Sequence, residues 1–178
     1  MKDKYTDYTV GSEWSAATSY RLGLAGELPA TVERALYVDI DTIFNRDISP
    51  MYESEFGDCL IAGVFTTEDL SEESFSRWKR EMNLDRDTIY INAGVILYHI
   101  GRIREERFES QVLSWAKNNI HRLSWQDQDF LNVCYQQRIL LLHHVWNICD
   151  GASRWDGVIS IRNTPQNPAD LLEAARRP

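Results

Sequence analysis

The stretch Ala35-Leu36-Tyr37-Val38, followed at once by Asp39-Ile40-Asp41, constrains this chain more than any other part of it. Four apolar residues in a row suit a strand buried on both faces, and the first aspartate stops the run. The pattern predicts a central strand with two carboxylates at its carboxyl end. In an extended chain, residues i and i+2 point to the same side, roughly 6.5–7 Å apart. Asp39 and Asp41 so placed converge on one divalent ion, and all-oxygen ligation suits Mn²⁺ or Mg²⁺. The carboxyl ends of strands are also where open α/β sheets bind ligands. D-x-D by itself is short and common. Its position beside an apolar strand favours the metal reading, because carboxylates are costly to bury there without a partner.

The rest of the chain alternates strand-like and helix-like segments. Trp14 to Leu24 reads as a helix ending before Pro29, and Leu60 to Phe65 as a second strand. Phe75, Trp78 and Met82 recur at helical spacing within a helix over Ser71 to Met82. Ile89-Tyr90-Ile91 starts a third strand, which Asn92-Ala93-Gly94 interrupts before Val95 to Tyr98 resumes it. Arg104 to Asn118 is an amphipathic helix with Phe108, Val112 and Trp115 on its apolar face. Ser124 caps a helix running to about Gln137, Ile139 to Leu142 forms a strand, and Asn167-Pro168 opens a last helix. Such alternation predicts an α/β mixed sheet flanked by helices, in one domain spanning residues 1–178.

Two further segments carry candidate chemistry. Glycine inside a strand pattern marks a bulge or a close approach of backbone to ligand. Asn92 both donates and accepts hydrogen bonds, which suits sugar hydroxyls. The alternative is a bulge that only bends the sheet. In Ser124-Trp125-Gln126-Asp127-Gln128-Asp129, Ser124 and Asp127 have the spacing of a capping box, and acids favour the first helical turn. The functional alternative is that Asp127 and Gln128 project into a polar cleft; a capped helix start is a rigid mount for both. Arg21 could neutralise a phosphate, although a lone helical arginine is usually solvated. His143 and His144 read as structural, because neighbours in a strand face opposite ways.

The formal net charge of −8 argues against a non-specific nucleic-acid binder. It also means that a nucleotide diphosphate needs a cation or a local basic group to approach. Cys59, Cys134 and Cys149 form no C-x-x-C pair and fit reduced thiols, hence a cytoplasmic protein. The polar N-terminus opens no signal-peptide region, and no apolar run approaches the ~20 residues of a membrane span.

Four motifs in order then resemble one family. They are Trp14-Ser15-Ala16-Ala17-Thr18-Ser19-Tyr20-Arg21-Leu22, then Leu36-Tyr37-Val38-Asp39-Ile40-Asp41-Thr42, then Tyr90-Ile91-Asn92-Ala93-Gly94-Val95, then Asp127-Gln128-Asp129-Phe130-Leu131-Asn132. Over residues 12 to 147 the chain resembles glycosyltransferase family 8, which includes lipopolysaccharide galactosyl- and glucosyltransferases and the glycogenins. The resemblance implies a GT-A-type fold and retaining transfer of glucose or galactose from a UDP-hexose to a glycan or lipopolysaccharide acceptor. It implies Mn²⁺ as the metal, with Asp39 and Asp41 as the metal-binding pair. Arg21, Asn92, Ala93, Gly94 and Asp127 correspond to donor-binding positions. Gln128 matches the residue beside the anomeric carbon and is, with Asp127, the catalytic candidate.

Two departures from the family pattern stand out. The chain opens at the helix before the acidic pair, and it ends before the family's H-x-x-G-x-x-K-P-W segment, the source of a histidine ligand and a lysine. This leads to the expectation of an incomplete catalytic domain with weak UDP-sugar binding, little activity and an unpaired sheet edge prone to self-association. One alternative is a haloacid-dehalogenase-type phosphohydrolase, which also places D-x-D after a buried strand. It needs a suitably placed lysine, whereas Lys79 and Lys117 fall in predicted helices. The other is an inactive truncated fragment.

Overall fold

The computed structural model describes residues 20–66, 72–84, 88–123 and 126–147. A 3-10 turn (Tyr20–Gly23) leads into α1 (Leu24–Glu27) and β1 (Ala35–Val38). Next come α2 (Ser49–Tyr52), β2 (Ile61–Phe65), α3 (Glu72–Glu81) and β3 (Ile91–Tyr98). Then follow α4 (Ile100–Glu105), α5 (Phe108–Asn119), α6 (Gln126–Cys134) and β4 (Ile139–Leu142). The expected helix over Arg104 to Asn118 is two helices, because Arg107 takes a left-handed φ of 51° between them. The expected starts at Trp14, Ser71 and Ser124, and the helix after Asn167, lie outside the described residues.

The sheet has the order β1-β3-β2-β4. β3 runs antiparallel to both neighbours, and β2 runs parallel to β4. Among the described residues β1 is therefore an edge strand, and its four residues are half-buried. Among these strands it is not the central one: an apolar run of four signals a strand but not its place in the sheet. Val38 pairs with Val95, which brings the carboxyl end of β1 beside the first half of β3.

That half of β3 is irregular in a specific way. Gly63 of β2 opposes Ile96, yet Phe65 opposes Ile91, so β3 carries extra residues between Ile91 and Ile96. Side-chain parity changes across the insertion. Ile91 and Ala93 face the same core as Ile96 and Tyr98, whereas Val95 and Leu97 face the other. A regular strand would keep 91, 93, 95 and 97 on one face. Asn92-Ala93-Gly94 thus forms the bulge that a glycine in a strand pattern marks, within one continuous strand.

Two apolar layers result. One face of the sheet packs on α4, α5 and α6 through Ile61, Ile96, Ile103, Val112, Ala116 and Phe130. The other carries Met51 of α2 with Phe56, Ala62, Val64 and Leu142. Packing is tight at Gly63, where a Cβ would lie 2.5 Å from Ile91 Cδ1 and push that side chain aside. The Arg104 guanidinium on α4 donates to the carbonyls of Ala25, Leu28 and Val32 at 2.8–2.9 Å. It thereby ties α4 to α1 and to the segment joining α1 to β1.

Candidate functional site

Four segments distant in sequence meet at the carboxyl end of β1, and Arg21 joins three of them. Its side chain is 8% exposed. Nη1 donates to Ala93 O at 3.0 Å and lies 2.8 Å from Asp127 Oδ2. Nη2 lies 3.2 Å from Asp39 Oδ1. The guanidinium also stacks 4.0 Å from the Tyr37 ring centroid. The planar fork lets one side chain serve several oxygens at once. Arg21 is thus buried with both terminal nitrogens engaged, not the solvated helical arginine that was the alternative to a binding role. Because one guanidinium bridges Asp39 and Asp127, the two carboxylates lie closer than the about 10–12 Å spanned by a metal with its oxygens plus a hexose.

Asp39 Oδ1 also accepts from Tyr37 Oη at 2.7 Å. Burial, reinforced by that bond, pushes the Tyr37 phenol up to about 12, so it remains a donor at neutral pH. The Asp39 amide bonds to Gly94 O at 2.8 Å, and Thr42 N bonds back to Asp39 O at 3.2 Å. The chain therefore turns straight after Asp39. Ile40 and Asp41 sit at the turn's corner, both exposed, and the extended i/i+2 geometry expected of the acidic pair does not hold. Asp39 Oδ2 faces Gly94: a Cβ there would come 3.3 Å from this oxygen and 2.9 Å from Asn92 Oδ1. Glycine keeps the space between the two side chains open.

Oxygen donors from Asp39 and Asp41 fit a small hard cation. Among the described residues, no group of three His, Cys, Asp or Glu side chains converges. An ion held here would complete its shell with water or phosphate oxygens, as Mg²⁺ commonly does.

The start of α6 forms the opposite wall. Asp127 reaches Arg21; Ser124, its expected capping partner, lies outside the described residues. Burial raises the Asp127 carboxyl above its ordinary range, opposed by Arg21 and by the amides of Asp127 and Gln128 at the helix start. Gln128 is buried, and its Oε1 accepts from Ala93 N at 3.0 Å. One turn on, Asn132 is fully buried and brackets Ile91, accepting from its N–H at 2.7 Å and donating to its carbonyl at 2.8 Å. Asp129 accepts from Tyr90 Oη at 2.6 Å. Together these bonds seat α6 on the bulge of β3.

Asn92 Oδ1 accepts from Gly94 N and from Asn147 Nδ2, both at 2.8 Å. Tyr37, Asn132 and Asn147 had no assigned role in the sequence reading. Tyr37 and Asn132 stand inside the recognised motifs, whereas nothing local marks Asn147. His143 and His144 do not alternate along a strand as expected. They begin a 3-10 turn (His144–Trp146), and their ring centroids lie 4.0 Å apart.

Residues 2–169 match the model of the family described as glycosyl transferase family 8. The chain is 28% identical over 136 residues to a lipopolysaccharide 1,2-glucosyltransferase of Escherichia coli K12, covering 75% of this chain and 39% of that one. It is 28% identical to a lipopolysaccharide 1,3-galactosyltransferase of Salmonella typhimurium, covering 67% and 36%. It therefore spans about two fifths of the length of these relatives. Among solved structures, the galactosyltransferase LgtC in complex with donor and acceptor sugar analogues superposes with a TM-score of 0.71 at 21% identity, covering 81% of this chain and 51% of that one. The bifunctional glycosyltransferase WbbM gives 0.74 at 19%, covering 96% and 32%. The fold is thus the GT-A-type mixed sheet of these enzymes.

Proposed function

The chain belongs to glycosyltransferase family 8, and on that premise we propose that it forms the donor-binding centre of a retaining hexosyltransferase. The donor is a UDP-linked glucose or galactose, and the acceptor a glycan or lipopolysaccharide. The observation that carries this reading is the Arg21 clamp, which gathers Asp39, Ala93 and Asp127 at the end of β1. The family assignment sets aside the phosphohydrolase alternative.

Asp39 and Asp41 would hold a divalent ion, Mn²⁺ or Mg²⁺, whose charge offsets that of the diphosphate as UDP leaves. The chain's own residues do the rest. Asp127 accepts from hydroxyls of the hexose, and Arg21 aims that carboxylate and opposes the effect of its burial. Asn92, with the Ala93 and Gly94 backbone, lines the other side of the sugar. Gln128, fixed by Ala93 N, stands at the helix start beside the anomeric carbon. A site built on strand ends and a helix start holds its groups rigidly, which favours positioning of the two reactants.

The direct assay follows labelled hexose from UDP-glucose or UDP-galactose into lipopolysaccharide with divalent metal present. Transfer that disappears in Asp39→Asn and in Asp127→Asn supports the reading. Transfer that persists in both removes it.

A further inference from the structure

The Asn92 amide has only one orientation that its neighbours allow. Its Oδ1 accepts from Gly94 N and from Asn147 Nδ2, each at 2.8 Å. An amide oxygen has two lone pairs, so its capacity is filled. Turned over, the NH₂ group would confront the Gly94 N–H and lose that bond, and it would keep the other only if the Asn147 amide turned with it. The Asn92 NH₂ itself has no partner among the described residues. Asn92 is half-buried, and a Cβ at Gly94 would meet both its Oδ1 and Asp39 Oδ2. Position 92 therefore offers a ligand only a hydrogen-bond donor.

Asn147 supplies the bond that comes from outside the bulge. It follows the turn after β4, and its own N–H is tied to His144 O at 3.2 Å. We propose that Asn147 is a positioning residue: it locks the Asn92 amide with its NH₂ toward the cleft, so that position 92 selects an acceptor oxygen on the donor hexose. The selection half of this inference rests on the hexosyltransferase reading; the lock does not.

Two variants separate the parts. Asn92→Asp retains both accepted bonds but replaces the cleft-facing donor with an acceptor. Asn147→Ala removes one accepted bond and leaves the Asn92 amide held by Gly94 N alone. The full chain, labelled with ¹⁵N-asparagine, reports each side-chain amide, with the Asn92 pair assigned by its disappearance in Asn92→Asp. In Asn147→Ala the Asn92 pair should broaden or move toward the position of a free amide, while the backbone spectrum is retained. An unmoved Asn92 pair overturns the lock.

Titration with UDP and with UDP-glucose or UDP-galactose tests the selection. Both variants should weaken the sugar nucleotide at least tenfold and change UDP itself by less than twofold. Equal loss for both ligands overturns the selection. A wild-type chain that binds neither ligand sinks the hexosyltransferase reading, and the amide spectra then decide the lock alone.

Discussion

Arg21 and Asp127 meet at 2.8 Å, both largely buried, and the same guanidinium holds Asp39 at 3.2 Å. Removing one partner of a buried pair leaves an uncompensated charge, which costs about 3–5 kcal/mol. Arg21→Met should therefore destabilise the chain by about 3 kcal/mol, seen as a lower denaturant midpoint. Arg21→Lys should recover only part of this, because an ammonium cannot serve three oxygens with a planar fork. A full recovery by lysine would show that charge alone matters here.

Asp127 gives a pH signature. Burial raises its carboxyl above the ordinary 3.8 of an aspartate. A raised folded-state value favours the protonated form on folding. The stability it contributes is present below the unfolded value and is lost as pH rises through the folded one. Asp127→Asn mimics the protonated state throughout. The stability of the wild type relative to Asp127→Asn should accordingly decline from pH 3.8 upward until the carboxyl is ionised. Unfolding curves of both proteins across that range test this, and a constant gap contradicts it.

Asn132 is the bolt between α6 and the bulge. Replacing it with leucine leaves the N–H and the carbonyl of Ile91 without their side-chain partner in a buried setting. Each such group costs about 1–3 kcal/mol, so Asn132→Leu should lose about 3 kcal/mol. Asn132→Asp would set a second carboxylate oxygen against the carbonyls of Ile91 and Gln128 in a buried setting, and should cost at least as much as leucine. A leucine variant as stable as the wild type would mean that α6 is seated by its apolar face alone.

Tyr37 orients Asp39 through a 2.7 Å hydrogen bond and remains protonated far above neutral pH. Partners that orient metal ligands typically change metal affinity 10–100-fold. Tyr37→Phe should weaken the divalent-ion affinity of the chain by about tenfold while leaving its thermal midpoint nearly unchanged. Titration with Mn²⁺ followed by electron paramagnetic resonance reads the affinity directly. An unchanged affinity would separate Asp39 from the ion.

Much of the architecture was legible where local pattern and tertiary role agree. Ile139 to Leu142 is β4 as read, and Leu60 to Phe65 differs from β2 by one residue. The motif order gave the family before any contact was known. The tertiary partners were not legible. A tyrosine in an apolar run reads as core, yet the Tyr37 hydroxyl serves Asp39. An arginine near a helix reads as solvated, yet Arg21 is buried among carboxylates supplied by other segments. The Asp39–Asp41 spacing suggested an extended pair, but a turn closed by Thr42 N breaks it. The parity change across the β3 bulge likewise depends on which strand lies alongside, and local sequence does not carry that information.

The most direct test is ligand-observed NMR of UDP-glucose and UDP-galactose with the full chain, with and without Mg²⁺. Saturation transfer reads weak binding as well as strong. The account predicts transfer to hexose protons that requires the divalent ion and is lost in Asp39→Asn and in Asp127→Asn. Hexose signals that are equally strong without the ion and in both variants would contradict it.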